Sequence, residues 1–282
     1  MKLLRYGSPG KEKPGMLDND GNIRSLASHV HDIDGRALSD KVLASIRNLD
    51  LSQLPIVDDD VRIGPCVGSV GKFLCIGLNY SDHAAESNKA VPKEPEIFTK
   101  ATSSICGPND NIVKPLNSEK LDWEVELAIV IGKHTSYVSE SVALEHIAGY
   151  CVCNDVSERV FQLDKGTQWD KGKGCDTFGP IGPWIVTTDE IEDPLNLKMW
   201  LEVNGHRYQD GNTKTMVFGP AAIVSYVSHF MSLQPGDVIS TGTPPGVGLG
   251  QKPPVYLYVG DKIRLGIDGL GTQNQTVQAL KE

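Results

Sequence analysis

The sequence predicts an α+β fold that is rich in strands and has few helices. Its 282 residues include 29 glycines and 17 prolines, which is typical of short strands joined by many turns. Residues 122–132 alternate as a strand does, and Asn204-Gly205 is a strong hairpin turn between two further strand patterns. Hydrophobic content of 39% and charged content of 22% are ordinary for a globular protein, and the chain is long enough to bury a large core.

Residues 1–65 are predicted to form a small N-terminal α/β module. Residues 3–6, 16–17 and 23–26 have strand patterns, with a turn at residues 18–21. Ser39 is a suitable cap for a helix that extends to residue 49, with apolar residues three or four positions apart. We expect a separate, larger domain over residues 70–282.

The larger part is predicted to contain most of the strands. Short strand patterns occur at residues 73–77, 122–132, 147–153, 180–187, 197–203, 206–209 and 237–240, and a final hairpin at residues 262–267 and 273–280. Helical patterns occur at residues 139–145, 156–163 and 221–231. Two glycine-rich loops are predicted at residues 164–176 and 241–248.

Charge and targeting signals exclude several classes of protein. The net charge of −9 and the pI near 5.3 argue against nucleic acid or an anionic membrane as a partner. There is no apolar run of membrane-spanning length, and the first residues resemble a strand rather than a signal peptide. The six cysteines have no zinc-site spacing, which favours reduced thiols and a cytoplasmic protein.

Glu124 and Glu126 are the first candidates for chemistry. In an extended strand their side chains share one face, which Ala128 and Val130 continue as an apolar surface. Two carboxylates at the edge of such a surface repel each other and lose hydration, and a bridging divalent cation would relieve both costs. The same pattern also fits a strand end that reaches solvent with both glutamates hydrated. The stretch alone leaves both interpretations open.

Asp155 could add a third carboxylate. It follows the strand predicted at residues 147–153, and three carboxylates would supply the oxygen ligands that Mg²⁺ or Mn²⁺ prefers. An aspartate at a strand end more often bonds nearby backbone N–H groups than a metal ion. Spacing cannot bring Asp155 beside the glutamates, so this alternative also stays open.

Two further pairs have the form of catalytic groups. His83 and Glu86 lie one helical turn apart, as a base and its orienting carboxylate would, although such pairs are common on surfaces. Lys171 and Lys173 lie in a glycine-rich loop, where lysines are more often solvated than functional. The sequence contains no phosphate-binding glycine loop of the G-x-x-x-x-G-K-[ST] type and no G-x-S-x-G elbow.

Taken in order, these residues and their neighbours resemble the fumarylacetoacetate hydrolase family. The matching region spans roughly residues 70–280. The blocks that carry the resemblance are Gly77-Leu78-Asn79-Tyr80 followed by His83 and Glu86, Phe98-Thr99-Lys100, Asp122-Trp123-Glu124-x-Glu126-Leu127, Asn154-Asp155-Val156-Ser157-x-Arg159, Lys171-Gly172-Lys173 with Asp176-Thr177-Phe178-Gly179-Pro180, and Thr241-Gly242-Thr243-Pro244 with Gly246-Val247.

The resemblance implies a fold and a metal site. The implied fold is a mixed β-sandwich roll, and the N-terminal module resembles the small cap domain of longer members. Glu124, Glu126 and Asp155 match the family's metal ligands, with Mg²⁺ or Mn²⁺ as the implied cofactor. His83 and Glu86 match its water-activating dyad, so every metal and dyad position is retained.

The resemblance also implies a substrate pocket. Lys173 matches the family's active-site lysine, and Lys171 is the weaker match. The positions that match pocket-lining residues are Lys100, Arg159, Gln162 and Thr243. Residues 81–97 match a lid that orders when substrate binds. The expected partners are a small 2-oxo acid and a second copy of the chain in a homodimer.

The implied activity is metal-dependent hydrolysis of a C–C bond in a 2,4-dioxo acid. The acid would be an acylpyruvate or a 2,4-diketo-3-deoxy sugar acid, and pyruvate or a related 2-oxo acid would be released. Enolate-forming relatives with similar sites provide the alternative: ureidoglycolate lyase, oxaloacetate decarboxylase or 2-hydroxyhepta-2,4-diene-1,7-dioate isomerase. A non-catalytic member of the fold is a third alternative, which the retained metal and dyad residues disfavour.

Overall fold

The computed structural model describes residues 1–58, 60–86 and 90–281. It confirms the predicted strand-rich α+β class. In chain order the strands are β1 (Lys2–Tyr6), β2 (Lys13–Leu17), β3 (Ile23–Ser25), β4 (Phe73–Gly77), β5 (Glu96–Lys100), β6 (Ile105–Cys106), β7 (Ile112–Lys114), β8 (Leu121–Asp122), β9 (Val125–Ile131), β10 (Ile147–Asn154), β11 (Ser157–Glu158), β12 (Gly179–Thr187), β13 (Lys198–Val203), β14 (His206–Asn212), β15 (Val238–Ser240), β16 (Lys262–Ile267) and β17 (Gly271–Ala279).

The helices are short. Within the described ranges they are α1 (Asp40–Arg47), α2 (Ser81–Glu86), α3 (Glu140–Ala143), α4 (Asp170–Lys173) and α5 (Pro220–Ser228), with a π-helical turn at Val160–Asp164 and six single 3₁₀ turns. The glycine-rich loop predicted at residues 164–176 therefore contains one helical turn, α4, which carries Lys173.

The helix predicted over residues 156–163 is wrong at its beginning. Ser157 and Glu158 form β11, which pairs with β8, and only the following turn is helical. The buried Glu158 carboxylate accepts hydrogen bonds from the backbone N–H groups of Glu119 (2.9 Å), Lys120 (2.6 Å) and Phe161 (2.7 Å). The contacts with Glu119 and Lys120 join the segment to a distant part of the chain, which local periodicity cannot reveal.

The strand predicted over residues 122–132 is divided in two. Asp122 belongs to β8, β9 begins at Val125, and Glu124 lies between them. The Glu124 N–H donates to Asn154 Oδ1 (3.2 Å), and the Val125 N–H donates to Gln209 Oε1 (2.9 Å). Side-chain amides thus bond two consecutive N–H groups that a continuous strand would direct to a sheet neighbour.

Two large sheets pack against each other. One has ten strands in the order β3-β2-β1-β12-β10-β9-β15-β4-β5, with β6 beside β12. The other has five strands in the order β14-β13-β16-β17-β7. Strands β13 and β16 contact β9, and β17 contacts β10 and β12. The smaller sheet therefore packs against β9 and β10, which are central strands of the larger sheet.

Strand β9 is buried on both faces. Val125, Leu127, Ile129 and Ile131 belong to the core between the sheets. Ala128 and Val130 belong to a second core on the other face of the larger sheet. A strand buried on both faces is a rigid support for the carboxylates at its beginning.

The N-terminal residues share this architecture. Strand β1 pairs antiparallel with β12, so β1–β3 extend the larger sheet. Leu3 and Met16 lie in the same hydrophobic cluster as Ile181 and Ile185 of β12. Residues 1–65 are therefore joined to the rest by a continuous sheet, and the boundary at residues 65–70 stays a prediction. Of the helices in the described ranges, none combines the length and apolar character needed to cross a membrane.

Candidate active site

Glu124, Glu126 and Asp155 form a buried cluster. One carboxylate oxygen of each lies within 4.8 Å of the others, and the exposed fractions are 7%, 2% and 0%. Antiparallel pairing of β9 with β10 brings them together, and the Asp155 N–H donates to the Glu124 carbonyl oxygen (2.9 Å). Both glutamates therefore lie in the interior rather than at a hydrated strand end, and Asp155 lies beside them.

Three cations bond to two of these carboxylates. Lys173 Nζ donates to Glu124 Oε2 and to Asp155 Oδ2, both at 2.7 Å. Lys100 Nζ donates to Asp155 Oδ1 (2.6 Å), and Arg159 Nη2 donates to Glu124 Oε1 (2.6 Å). Glu124 and Asp155 are therefore paired with cations and held in fixed orientations.

Glu126 has different partners. Its Oε2 accepts hydrogen bonds from Ser240 Oγ (2.6 Å) and from the Gly242 N–H (2.8 Å). Among the described residues, no lysine, arginine or histidine forms an ion pair with it. The charge of Glu126 is therefore the one that a bound cation would balance.

The electrostatics separate the two glutamates. Burial acts to raise the pKa of Glu124, but Lys173 and Arg159 outweigh it and hold that pKa well below its usual range. Burial raises the pKa of Glu126 well above its usual value, and the negative charges of Asp155 and Glu124 raise it further. Burial acts to lower the pKa of Lys173, but the carboxylates of Asp155 and Glu124 raise it overall, so the ammonium stays charged.

This donor set suits a hard divalent cation. Three buried carboxylates converge, and the only donors to Glu126 that the structure describes are neutral. Oxygen ligands of this kind favour Mg²⁺ or Mn²⁺ and do not discriminate between them. Glu124, Glu126 and Asp155 are the residues that would hold the ion.

His83 and Glu86 form a hydrogen-bonded pair at the end of α2. His83 Nδ1 lies 3.0 Å from Glu86 Oε2, and the Gly246 N–H donates to Glu86 Oε1 (3.0 Å). An ionised carboxylate only accepts, so Nδ1 carries the proton of the neutral ring and Nε2 keeps its lone pair. The pair has the form of a general base with its orienting carboxylate.

One cavity of about 350 Å³ contains both groups. Its lining includes His83, Glu86, Glu124, Glu126 and Lys173, and the fully buried Asp155 lies behind this surface. The base is therefore exposed to the same cavity as the carboxylate cluster. A cavity of this size suits a small organic acid.

The predicted substrate-binding residues fall into two groups. Arg159, Gln162 and Thr243 line the cavity, and Gln162 Oε1 accepts from Arg159 Nη1 (2.9 Å). Lys100 does not line it, because its ammonium is buried behind Asp155 and also donates to the Val156 carbonyl oxygen (3.1 Å).

The two candidate lysines differ in position. Lys171 is exposed and donates to the Lys165 carbonyl oxygen, whereas Lys173 is buried in the cluster. The lid predicted over residues 81–97 includes residues 87–89, which lie outside the described residues. The described part of that segment begins with α2 and ends in β5.

Sequence reasoning missed residues that support the cluster. The buried Asp122 accepts from Arg159 Nε (2.8 Å) and from the Gly248 N–H (2.7 Å), so it orients the arginine that bonds Glu124. Ser240, at the end of β15, supports Glu126. An acidic residue at the first position of a largely apolar strand pattern was a visible signal for Asp122, whereas nothing near Ser240 distinguishes it from other strand-end serines.

Residues 72–278 match the family model described as the fumarylacetoacetate hydrolase C-terminal domain. The chain belongs to the fumarylacetoacetate hydrolase family. A protein of Burkholderia multivorans, named only as a candidate hydrolase, is 63% identical over 282 residues, covering 100% of both chains.

Solved structures of the fumarylacetoacetate hydrolase family have the same fold. A fumarylacetoacetate hydrolase from Exiguobacterium antarcticum is 37% identical over 99% of this chain and 100% of that one, with a TM-score of 0.87. A maleylpyruvate hydrolase from Sphingobium sp. SYK-6, solved with manganese(II) and pyruvate, is 28% identical over 100% of both chains, with a TM-score of 0.84. A 2-hydroxyhepta-2,4-diene-1,7-dioate isomerase from Mycobacterium marinum is 34% identical over 100% of both chains, with a TM-score of 0.77.

These matches to family members extend beyond the family model. The model begins at residue 72, close to the beginning of β4, and it includes every site residue described above. The alignment with the Burkholderia protein and those with the Sphingobium and Mycobacterium structures cover the whole chain, including residues 1–71. The family has both hydrolases and isomerases among its members. Membership therefore indicates an enzyme that acts on oxo acids, but it does not distinguish hydrolysis from isomerisation.

Proposed function

We propose that this protein is a metal-dependent hydrolase that cleaves a C–C bond in a 2,4-dioxo acid and releases pyruvate or a related 2-oxo acid. The observation that supports this proposal is the exposure of the His83–Glu86 pair to the cavity that also contains Glu124, Glu126 and Lys173. Hydrolysis needs a base for water and a cationic site for the dioxo acid, and this cavity contains residues for both roles.

The cofactor of this proposal is Mg²⁺ or Mn²⁺ held by Glu124, Glu126 and Asp155. Such an ion supplies a Lewis acid that polarises the oxygens of a 2-oxo acid. The manganese ion in the Sphingobium maleylpyruvate hydrolase supports the same type of cofactor here. Without the ion, the acidic cluster would repel the carboxylate of a substrate. A bound divalent ion would balance the negative charge of the cluster and remove this repulsion.

His83 performs the proton transfer in this proposal. Its Nε2 accepts a proton from water while the water oxygen bonds to the C4 carbonyl carbon of the substrate. The C3–C4 bond then breaks, its electron pair moves to C3, and the proton held by His83 returns to C3. The products are a carboxylic acid and a 2-oxo acid. Glu86 keeps Nδ1 protonated throughout, because its carboxylate accepts from that atom at 3.0 Å.

Lys173 and Arg159 provide fixed positive charge near the reacting atoms. Lys173 Nζ is held by Glu124 and Asp155, and Arg159 is held by Asp122 and Glu124. Donors fixed in this way need no reorganisation when negative charge develops on the 2-oxo fragment. Gln162, held by Arg159, adds a neutral hydrogen-bonding group to the same wall.

Turnover of acylpyruvates tests this proposal. The protein is supplied with Mg²⁺ or Mn²⁺ and a panel of acylpyruvates and diketo-deoxy sugar acids, and loss of the enol absorbance and release of 2-oxo acid are followed. We expect hydrolysis that a chelator abolishes, and we expect His83→Ala to lower kcat by about 10²- to 10⁴-fold. An unchanged rate in His83→Ala, or no turnover across the panel, would overturn it.

An enolate-forming isomerase, lyase or decarboxylase is the second candidate. The similarity to the Mycobacterium marinum isomerase favours it. Such a reaction needs the cluster and Lys173 but no activated water. His83→Ala would then retain activity on an isomerase or decarboxylase substrate, whereas Glu126→Ala would abolish it.

We also propose that the protein acts as a homodimer on a small 2-oxo acid. The homodimer comes from the family resemblance alone. Light scattering coupled to size exclusion measures it, and a mass near 31 kDa, that of one 30.6 kDa chain, would contradict it.

A further inference from the structure

Two glutamines occupy core positions on the last strand. Alternate residues of β17 face inward, and Gln273 and Gln275 lie there with exposed fractions of 0% and 3%. A buried amide without hydrogen-bond partners is costly, so both groups need partners on the inner side of the sheet. The mechanism above uses neither residue.

The carbonyl oxygens around Gln273 determine how its amide is oriented. Gln273 Nε2 lies near the carbonyl oxygens of Val152 (2.9 Å), Gly182 (3.0 Å) and Pro180 (3.4 Å). Carbonyl oxygens only accept, so the amide nitrogen must be on this side and Oε1 on the other. Gln275 Nε2 donates to that Oε1 at 2.7 Å.

The same reasoning determines the orientation of the next two amides. Gln275 Nε2 also donates to the Pro108 carbonyl oxygen (2.7 Å), which leaves Gln275 Oε1 to accept from Asn154 Nδ2 (3.0 Å). Asn154 Oδ1 is thereby directed at the Glu124 N–H (3.2 Å). Hydrogen bonds are therefore donated in one direction, from the Glu124 backbone through three amides to backbone carbonyls.

This series ends at the carboxylate cluster. Asn154 directly precedes Asp155, and its side chain bonds the peptide from which Glu124 projects. If the Asn154 amide were reversed, its NH₂ group would face the Glu124 N–H and leave two donors without an acceptor. The orientation of Asn154 therefore affects the backbone of two of the three carboxylates.

We propose that Asn154 and Gln275 are positioning residues of the metal centre, with Gln275 holding the Asn154 amide so that its oxygen fixes the Glu124 backbone. The proposal rests on the metal centre of the proposed function. It concerns the affinity for the ion, which is measured without turnover. Residues that orient metal ligands in this way typically change metal affinity by 10- to 100-fold when they are replaced.

A purely structural role of Gln275 is the competing explanation, since it also bonds Pro108 and Gln273. Two substitutions at one position separate the explanations. Gln275→Met removes the acceptor for Asn154 Nδ2 and the donors to Pro108 and Gln273. Gln275→Glu removes the amide donors but keeps an oxygen that accepts from Asn154. Gln278→Met is the matched control, because Gln278 is exposed on the same strand.

The experiment is a calorimetric titration of each full-length variant with Mn²⁺, together with thermal unfolding of the metal-free protein. We expect Gln275→Met to raise the Kd for Mn²⁺ about 10- to 100-fold. Gln275→Glu should not raise it, although both variants lower Tm, and Gln278→Met should leave both values unchanged. An unchanged Kd in Gln275→Met, or equal increases in both Gln275 variants, would overturn the proposal.

If Gln275→Met does not fold, a second pair of substitutions, at Asn154, tests the same proposal. Asn154→Leu removes the oxygen that accepts from Glu124, whereas Asn154→Asp keeps it, so only the first should weaken Mn²⁺ binding. Wild-type protein that binds Mn²⁺ without hydrolysing any dioxo acid would overturn the proposed function and leave this proposal supported by the variants. Wild-type protein that binds no divalent ion would overturn both.

Discussion

At the scale of residues, the carboxylate cluster and its buried charged neighbours contain one more carboxylate than cations. Four buried carboxylates and three buried cations are in contact, namely Asp122, Glu124, Glu126 and Asp155 with Lys100, Arg159 and Lys173. In the described part of the chain, the cations pair with each of these carboxylates except Glu126. An unbalanced buried charge is costly. When no metal ion is bound, the environment of Glu126 therefore favours its protonated, neutral form.

Binding of a divalent ion should therefore release a proton from Glu126. Burial and the neighbouring charges raise the pKa of Glu126, so the metal-free carboxyl binds a proton that the ion must displace. Affinity should fall as pH falls below that raised pKa and become independent of pH above it. Titration of Mn²⁺ in buffers with different ionisation enthalpies measures the number of protons released. Glu126→Gln is the control that releases none, and zero release from the wild type would contradict the prediction.

At the scale of elements, sequence patterns predicted buried strands better than they predicted where strands end. The alternation at residues 122–132 predicted β9, but not its beginning at Val125. That boundary depends on Asn154 and Gln209, which lie 30 and 84 positions from the residues they bond. The ligand set was likewise recognised by family resemblance, because no local spacing brings Asp155 beside Glu124.

The turn at Gly248–Gly250 shows how closely two elements approach at the dyad. A Cβ atom at Gly250 would lie 2.8 Å from the carboxylate carbon of Glu86. That carboxylate is the free end of a flexible side chain, so Gly250→Ala should displace it without unfolding the protein. We expect kcat to fall by about 10²-fold, because a displaced carboxylate no longer holds the base in its reactive position, with an unchanged Kd for Mn²⁺.

A double-mutant cycle checks that this effect acts through the dyad. In a His83→Ala background, Gly250→Ala should cause almost no further loss, because the displaced carboxylate then has no base to orient. Additive losses in the double variant would contradict this explanation, and so would a weaker affinity of Gly250→Ala for Mn²⁺.

At the scale of the whole molecule, the sheet connects the predicted module to the catalytic part. Sequence composition predicted the fold class, but not that β1 pairs with β12 across more than 170 positions. Nor did it predict that β15 lies parallel to β4. Pairings between distant strands depend on which apolar faces meet, and no short pattern in the sequence contains that information.

Removal of residues 1–65 should therefore unfold the remainder rather than release an independent domain. The truncated chain would expose the edge of β12 and the apolar residues beneath β1–β3, including Ile181 and Ile185. We expect the fragment of residues 66–282 to be insoluble, or to lack a cooperative thermal transition by circular dichroism. A soluble fragment that unfolds near the wild-type Tm would contradict this expectation and support the boundary predicted from the sequence.

The distribution of charge along the cavity predicts which substrates the protein prefers. The floor of the cavity is buried, and the cations there are paired with carboxylates. Its mouth is lined by the exposed Leu163, Leu249 and Lys252. Within the described residues, Lys252 forms no ion pair. A substrate anchored at the floor would therefore meet a free cation at its distal end.

Lys252→Glu should lower kcat/KM more for an acylpyruvate that ends in a carboxylate than for its neutral amide of the same length. The ratio of kcat/KM for the carboxylate to kcat/KM for the amide should change about fivefold. An exposed charge pair contributes about 1 kcal/mol, and a negative side chain at position 252 would oppose binding of the substrate carboxylate. Lys198→Glu is the matched control, because Lys198 is exposed at the beginning of β13 and does not line the cavity. High salt should reduce the difference, because exposed charges are screened. An equal loss for both substrates would mean that Lys252 acts on the shape of the mouth rather than on substrate charge.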